Sequence, residues 1–200
     1  MLTEIYMVRH AHSFFSLEHE ETRELSEKGW KDAERITEIL LKENIVHIIS
    51  SSYVRARQTV EGLARHLQMD IEIDPRFRER DLAARDHYFE NPAEAMQKVF
   101  AEPNFNFPGG ESNSEVQQRG ISALRNVVSK YKGKNIAIGI HGNIMTCTMQ
   151  FFDQIYDYEF WKQTTKPDIY KLTINDQFEL VSCERMWKPV NDNKIAMMVN

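Results

Sequence analysis

The sequence predicts an α/β fold, a mostly parallel central sheet with helices on both faces. Three observations predict it. Apolar runs at residues 5–8, 45–49 and 136–140 are short and almost unbroken. That is the pattern of strands buried on both sides. Between them lie segments with apolar residues at helical spacing, so strand and helix alternate along the chain. Near the end, residues 169–174 and 178–181 flank Asn175-Asp176, a favoured turn pair. This closing hairpin makes one strand of the sheet antiparallel. The expected architecture is a three-layer α/β/α sandwich.

Taken in order, strand one runs over residues 3–8 and ends abruptly on Arg9-His10. Residues 11–24 are polar with aromatic interruptions (Phe14, Phe15) and read as a loop over the strand end. Ser26 is a candidate N-cap for a helix that reaches about Lys42, carrying Trp30, Ala33, Ile36 and Leu40 in stripe. Strand two covers 45–49. Ser50-Ser51-Ser52 follows and is expected to cap the next helix, whose inner face is Val60, Leu63, Ala64 and Leu67. A third strand, 71–73, stops at Asp74-Pro75. The segment 76–86 is densely charged and matches no periodicity. Residues 92–101 read as a helix with Pro92 in its first turn, and 103–110 as an aromatic loop rich in Pro and Gly. Leu124, Val127, Val128 and Tyr131 mark another helix, with Gly133 expected as its C-cap. Strand 136–140 delivers His141-Gly142, and Met145, Met149 and Phe152 continue as a helix. The last dozen residues read as a loose tail.

Two hundred residues suit one core, so residues 1–200 are expected to form a single domain. A segment around 80–108 is expected to act as a cap, with contributions from 12–20 and 143–165. At 42% hydrophobic and 28% charged, the composition is that of a globular domain. No apolar run approaches the roughly 20 residues of a membrane helix. The start of the chain lacks the pattern of a signal peptide. Two cysteines, Cys147 and Cys183, lie far apart in apolar surroundings, which suits a reducing cytoplasm better than a disulfide framework. A net charge of −5 argues against nucleic acid or an anionic membrane as partner. Oligomeric state is not legible.

Several side chains that can do chemistry sit just beyond buried strands. Arg9 and His10 end strand one, Arg55 lies in the first turn of the helix after strand two, and His141 ends the later strand. Glu79 lies beyond the short third strand. In open α/β sheets, ligands bind in the crevice at the carboxyl ends of the strands. Guanidinium forks match phosphate oxygens bidentately, and helix N-termini add N–H groups. The collection suits a phosphoryl group. No Gly-rich loop with Lys and Ser/Thr is present, so a nucleoside-triphosphatase reading has no support. Arg57 reads as a surface residue. His12, His19, His47, His66 and His87 read as structural or surface, and Phe100, Phe105 and Phe107 as packing.

These residues also carry a family resemblance. Val8-Arg9-His10-Ala11 resembles the Arg-His-Gly signature of the histidine phosphatase, or phosphoglycerate mutase-like, superfamily. Residues 51–59, which contain Arg55, resemble its second arginine motif, and Phe77-Arg78-Glu79-Arg80 its acid motif. Residues 107–112 resemble the loop before its penultimate helix, and Ile140-His141-Gly142 its second histidine. The five matches occur in the family order. The resemblance implies a phosphoglycerate mutase-like fold and a phosphohistidine intermediate on His10. It implies that Arg9, Arg55 and His141 bind the phosphoryl oxygens. It assigns Glu79 as the acid for the leaving oxygen, with Asp81 as the substitute. It implies no metal and no cofactor, and a small phosphorylated metabolite as substrate. There are departures. Ala11 stands where the family has glycine. Phe15 and Ser16 stand where mutases carry Trp-Asn, so Ser13 or Ser16 must replace a phosphate-binding asparagine. The run that commonly follows the acid motif is missing.

The leading expectation is a metal-independent phosphomonoesterase. The alternatives are a phosphoglycerate-type mutase, disfavoured by the missing Trp-Asn pair, and a phosphohistidine protein phosphatase. A non-enzymatic phospho-ligand sensor would not need the nucleophile. His10-x-His12 also fits a metal-dependent amidohydrolase, but that chemistry is housed in a (β/α)₈ barrel of about 250 residues.

Overall fold

The apolar run at the start of the chain forms β1 (Leu2–Arg9) in a computed structural model that describes residues 1–189. β2 (His47–Ser50), β3 (Ile71–Ile73), β4 (Asn135–Ile140), β5 (Asp168–Asn175) and β6 (Leu180–Arg185) complete one sheet of order β3-β2-β4-β1-β5-β6. β1, β2, β3 and β4 pair in parallel, and β5 runs antiparallel to both its neighbours. Only β5 is therefore reversed, as the closing hairpin requires.

Alternation of side chains across the strands explains why the apolar runs are unbroken. Ile5 and Met7 of β1, with Ile136, Ile138 and Ile140 of β4, face one layer. Tyr6 and Val8, with Ala137, face the other. The first layer is α4 (Asn113–Lys130) and α5 (Gly142–Gln150), which bring Leu124, Val127, Ile144 and Met145. The second is α1 (Glu27–Leu40) and α2 (Val54–Leu67), which bring Ile36, Leu40, Val60 and Leu63. The three-layer expectation holds, and this open sheet is not the barrel of an amidohydrolase.

Ser26 caps α1 through the N–H of Gly29. Pro92 opens α3 (Pro92–Ala101), capped by Asn91. The serine run does not cap α2: its N-cap residue is Tyr53, with no side-chain bond, because Ser51 is used elsewhere. Gly133 is not the C-cap of α4. The helix ends at Lys130 with Tyr131 as its C-cap, and Gly133 turns the chain with φ +69° toward β4. The charged segment after β3 begins with a 3-10 turn, Pro75–Phe77, and then runs irregularly to Asn91. The region 143–165 divides. α5 is core, buried along almost its whole length, and only the stretch after it, with α6 (Tyr158–Gln163), lies outside. The expected tail falls almost wholly on residues 190–200, outside the described residues.

Sheet geometry decides where chemistry can gather. Arg9 is in register with Ile140, and Ser50 with Gly139, so β1, β2 and β4 end side by side. β5 starts at the same edge, with Asp168 opposite Arg9.

Candidate active site

Arg9 ends β1, and the next residue, His10, is tied down by its backbone N–H to the carbonyl of Ile140 at 3.0 Å. One strand over, His141 follows β4. The two imidazoles lie with ring centroids 5.2 Å apart, tilted by 59°. They are 3% and 0% exposed, and Arg55 and Arg9 are 1% and 7% exposed. Four residues spread from position 9 to position 141 are thus drawn to one buried edge.

Hydrogen bonding bears on the state of each ring. Nδ1 of His10 is 2.8 Å from the carbonyl of Ala11. A carbonyl only accepts, so Nδ1 carries the hydrogen and Nε2 keeps its lone pair. Burial first, then the charges of Arg55, Arg9 and Lys166, hold His10 well below its usual 6.5. The ring is neutral at neutral pH. His141 is held well below 6.5 by burial and by Arg55. Its Nε2 lies 2.8 Å from Ser51 Oγ, and that oxygen already accepts the N–H of Tyr53 at 3.1 Å. A hydroxyl that accepts one N–H keeps a second lone pair and its own hydrogen, so either tautomer of His141 can pair with it, and the one in which Ser51 gives its hydrogen to Nε2 leaves an N–H for a ligand. In that tautomer the hydrogen of His141 resides on Nδ1, which is buried with no partner among the described residues.

The cations are held as firmly. Arg9 Nη1 donates to the carbonyl of Thr164 at 3.2 Å and to its hydroxyl. The Nε atoms of Arg9 and Arg55 are buried without partners among the described residues. Gly142 lies under Arg9, close enough that a Cβ there would come within 2.6 Å of the guanidinium carbon. Arg55 stacks over Tyr53, 5.0 Å from the ring centre, and donates Nη2 to Glu20 at 2.6 Å. Arg23 holds the other carboxylate oxygen of Glu20 at 2.9 Å and also donates to Ser13 Oγ. Lys166 adds a further positive charge beside Arg9, and burial with these neighbours lowers its pKa.

Glu79 reaches the same place from the irregular segment. Its carboxylate accepts the N–H of Asn143 at 3.2 Å and of Ile144 at 3.1 Å, in the first turn of α5. Its charge acts on Arg9, Arg55 and Lys166. Asp81 lies elsewhere, toward Arg78 and Tyr53, and burial raises its pKa. The loop is pinned by Glu111. That carboxylate takes Arg78 at 2.6 and 3.0 Å and Arg119 at 2.9 and 3.0 Å. Arg119 in turn donates to the carbonyls of Arg76, Arg78 and Glu79.

The structure therefore brings together Arg9, His10, Arg55, Glu79 and His141, with Ser13 at the margin. The hydroxyl of Ser16 accepts the N–H of His19 within a turn. Ala11 fits in place of glycine because its methyl packs with Leu25 and Ala33. His12 bonds Ser26 Oγ at 2.7 Å, a role in holding the loop. Sequence reading missed Ser51, Thr164, Arg23, Glu20 and Lys166. Ser51 was visible only as a helix cap. The others lie in loops where no periodicity marks them.

A cluster of two imidazoles, arginines and a carboxylate at the carboxyl ends of the strands suits a phosphoryl group. A family profile, the histidine phosphatase superfamily (branch 1), matches residues 5–182, and the chain belongs to that superfamily. It is 28% identical over 156 residues to a probable phosphoglycerate mutase GpmB of Cronobacter sakazakii, covering 73% of each chain. Among solved structures it resembles a mycobacterial glucosyl-3-phosphoglycerate phosphatase, with TM-score 0.74 and 17% identity over 93% of this chain and 98% of that one. It also resembles a phosphoserine phosphatase of Entamoeba histolytica, with TM-score 0.71 and 16% identity over 90% and 96%. At such identities the structural likeness speaks for the fold alone.

Proposed function

We propose that this protein is a metal-independent phosphatase that hydrolyses phosphomonoesters through a phosphohistidine on His10. The observation that carries the reading is the state of that ring. Nδ1–H is spent on Ala11, Nε2 keeps its lone pair, and cations surround it. Nε2 attacks phosphorus as the ester oxygen leaves. Arg9, Arg55 and Nδ1–H of His141 take the phosphoryl oxygens and stabilise the charge that spreads over them. Guanidiniums supply here the positive charge that a metal supplies elsewhere. Ser13 adds a hydroxyl where mutases have an asparagine.

Glu79 takes the proton of the substrate's monoprotonated phosphate and passes it to the leaving oxygen, releasing the alcohol. It then takes a proton from the water that attacks phosphorus. Phosphate leaves and His10 is regenerated. Glu79 is preferred over Asp81 because its carboxyl sits on the first turn of α5, just after His141, whereas Asp81 faces Arg78. The substrate class is a small phosphorylated metabolite. In excess EDTA, the purified protein should turn over p-nitrophenyl phosphate, and His10→Ala should abolish turnover. An acid-labile phosphoryl adduct should be trapped on His10. Equal turnover by His10→Ala would refute the assignment.

A mutase is the second reading, favoured by the names of the sequence relatives. With 3-phosphoglycerate, a phosphatase releases inorganic phosphate, and a mutase returns the 2-phospho isomer without net release.

A further inference from the structure

Both Nη atoms of Arg55 are taken by one residue. Nη2 donates to the carboxylate of Glu20 at 2.6 Å, and Nη1 to its backbone carbonyl. The same carboxylate is gripped from its other side by Arg23, at 2.9 Å through Nε and 3.4 Å through Nη2. Arg23 is no distant surface residue. It donates to Ser13 Oγ and to the carbonyl of Phe14, and its charge acts on His141, Arg55 and Lys166. Two guanidiniums converging on the two oxygens of one carboxylate make an arrangement that two oxygens of a phosphoryl group can also fill. The Arg55 side chain is 1% exposed, so an anion reaching it has to take a place already held. Glu20 has somewhere to go: its side chain is 21% exposed, on a loop of local turns whose Phe14, Phe15 and Leu17 face outward.

We propose that Arg23 is a third phosphoryl-binding guanidinium, and that Glu20 is an internal ligand which the phosphoryl group displaces from Arg23 and Arg55. This rests on reading the cluster as a phosphoryl site. Glu20 then sets affinity. While its carboxylate is seated, the binding-competent fraction is small, and the apparent dissociation constant rises by the inverse of that fraction. Glu20 also limits the time that buried Arg55 and half-buried Arg23 spend without an anionic partner, a costly condition.

The test is binding of inorganic phosphate by calorimetry, which needs no turnover. Glu20→Gln keeps the shape and removes the charge. It should bind phosphate about 10-fold tighter than the parent, as expected of a latch seated roughly nine-tenths of the time. Arg23→Gln should bind it about 10-fold more weakly. Should Glu20→Gln fail to fold, Glu20→Asp, too short to reach both arginines, should also tighten binding. Unchanged or weaker binding in the Glu20 variants would mean that Glu20 merely positions Arg55, and would overturn the proposal. Unchanged binding in Arg23→Gln would confine Arg23 to pairing with Glu20 and would overturn its role. If neither parent nor variants bind phosphate, the phosphoryl-site reading itself fails.

Discussion

The hydroxyl of Ser51 lies 2.8 Å from Nε2 of His141, and its oxygen also accepts the N–H of Tyr53. A hydroxyl that gives its hydrogen to Nε2 selects the Nδ1–H tautomer of a ring that would otherwise choose between two. We expect Ser51→Ala to leave His141 buried but free to place its hydrogen on Nε2, facing away from the phosphoryl group. kcat/KM for p-nitrophenyl phosphate should fall about 10- to 100-fold, the range seen when the partner orienting a metal-binding histidine is removed. Nitrogen chemical shifts of the ring should show mixed tautomers. A single unchanged tautomer would show that Ser51 does not set it.

Gly142 opens α5 directly beneath Arg9. Alanine is a better helix former than glycine, so Gly142→Ala should cost the helix nothing by propensity. The new methyl would press within 2.6 Å of the guanidinium carbon, and Thr164 restrains that guanidinium on its far side. The damage should therefore appear in the site rather than in the fold. Thermal unfolding should shift by only a few degrees while KM rises about 10-fold, the equivalent of about 1.4 kcal/mol of lost phosphoryl binding. An unchanged KM would mean that Arg9 relaxes without loss.

The two carboxylates of the acid segment can be separated by leaving group. Glu79→Gln should slow hydrolysis of alkyl phosphates about 10²-fold or more, the usual worth of a general acid. It should slow p-nitrophenyl phosphate less, because nitrophenolate leaves without a proton. Asp81→Asn should slow both substrates equally and slightly. A leaving-group dependence in Asp81→Asn would transfer the acid role to it.

Much of this was legible in the sequence. The sheet could be read because strands buried on both faces cannot alternate: Tyr6 and Met7 face opposite helical layers, and both must be apolar. Arg9, His10 and His141 could be placed because a polar residue directly after such a strand has only the sheet edge to occupy. Ser51 misled for a physical reason. A serine before a helix is ordinarily a cap, and nothing local reveals that its partner is a histidine 90 positions away. Glu20 and Arg23 were invisible because their positions depend on how an irregular loop folds back over α2. Ser16 was read from a motif position, and its hydroxyl accepts an N–H in the turn it lies in.

The imidazoles also make stability depend on pH, with a determined sign. Burial and neighbouring arginines place the folded pKa values of His10 and His141 well below 6.5. Near pH 6.5 and below, the unfolded chain takes up protons that the folded chain refuses. Their contribution is therefore complete above about pH 6.5 and is lost as pH falls toward the folded values. Each such group adds a slope approaching about 1.4 kcal/mol per pH unit. Glu111 and Glu72, both held at about 2 in the fold, act only below the ordinary carboxylate range. The steep fall between pH 6.5 and 5 thus comes from the histidines, and Asp81, raised by burial, is common to parent and variant. Unfolding by urea at intervals across that window should show stability falling steeply in the parent. The slope should be shallower in His141→Asn by about one proton, whatever that variant does to the midpoint at pH 7.5. Surface histidines common to both proteins cancel in the comparison. Equal slopes would mean that His141 titrates in the fold as it does in water, and the neutral ring that is to offer Nδ1–H to a phosphoryl oxygen would then be half protonated near pH 6.5.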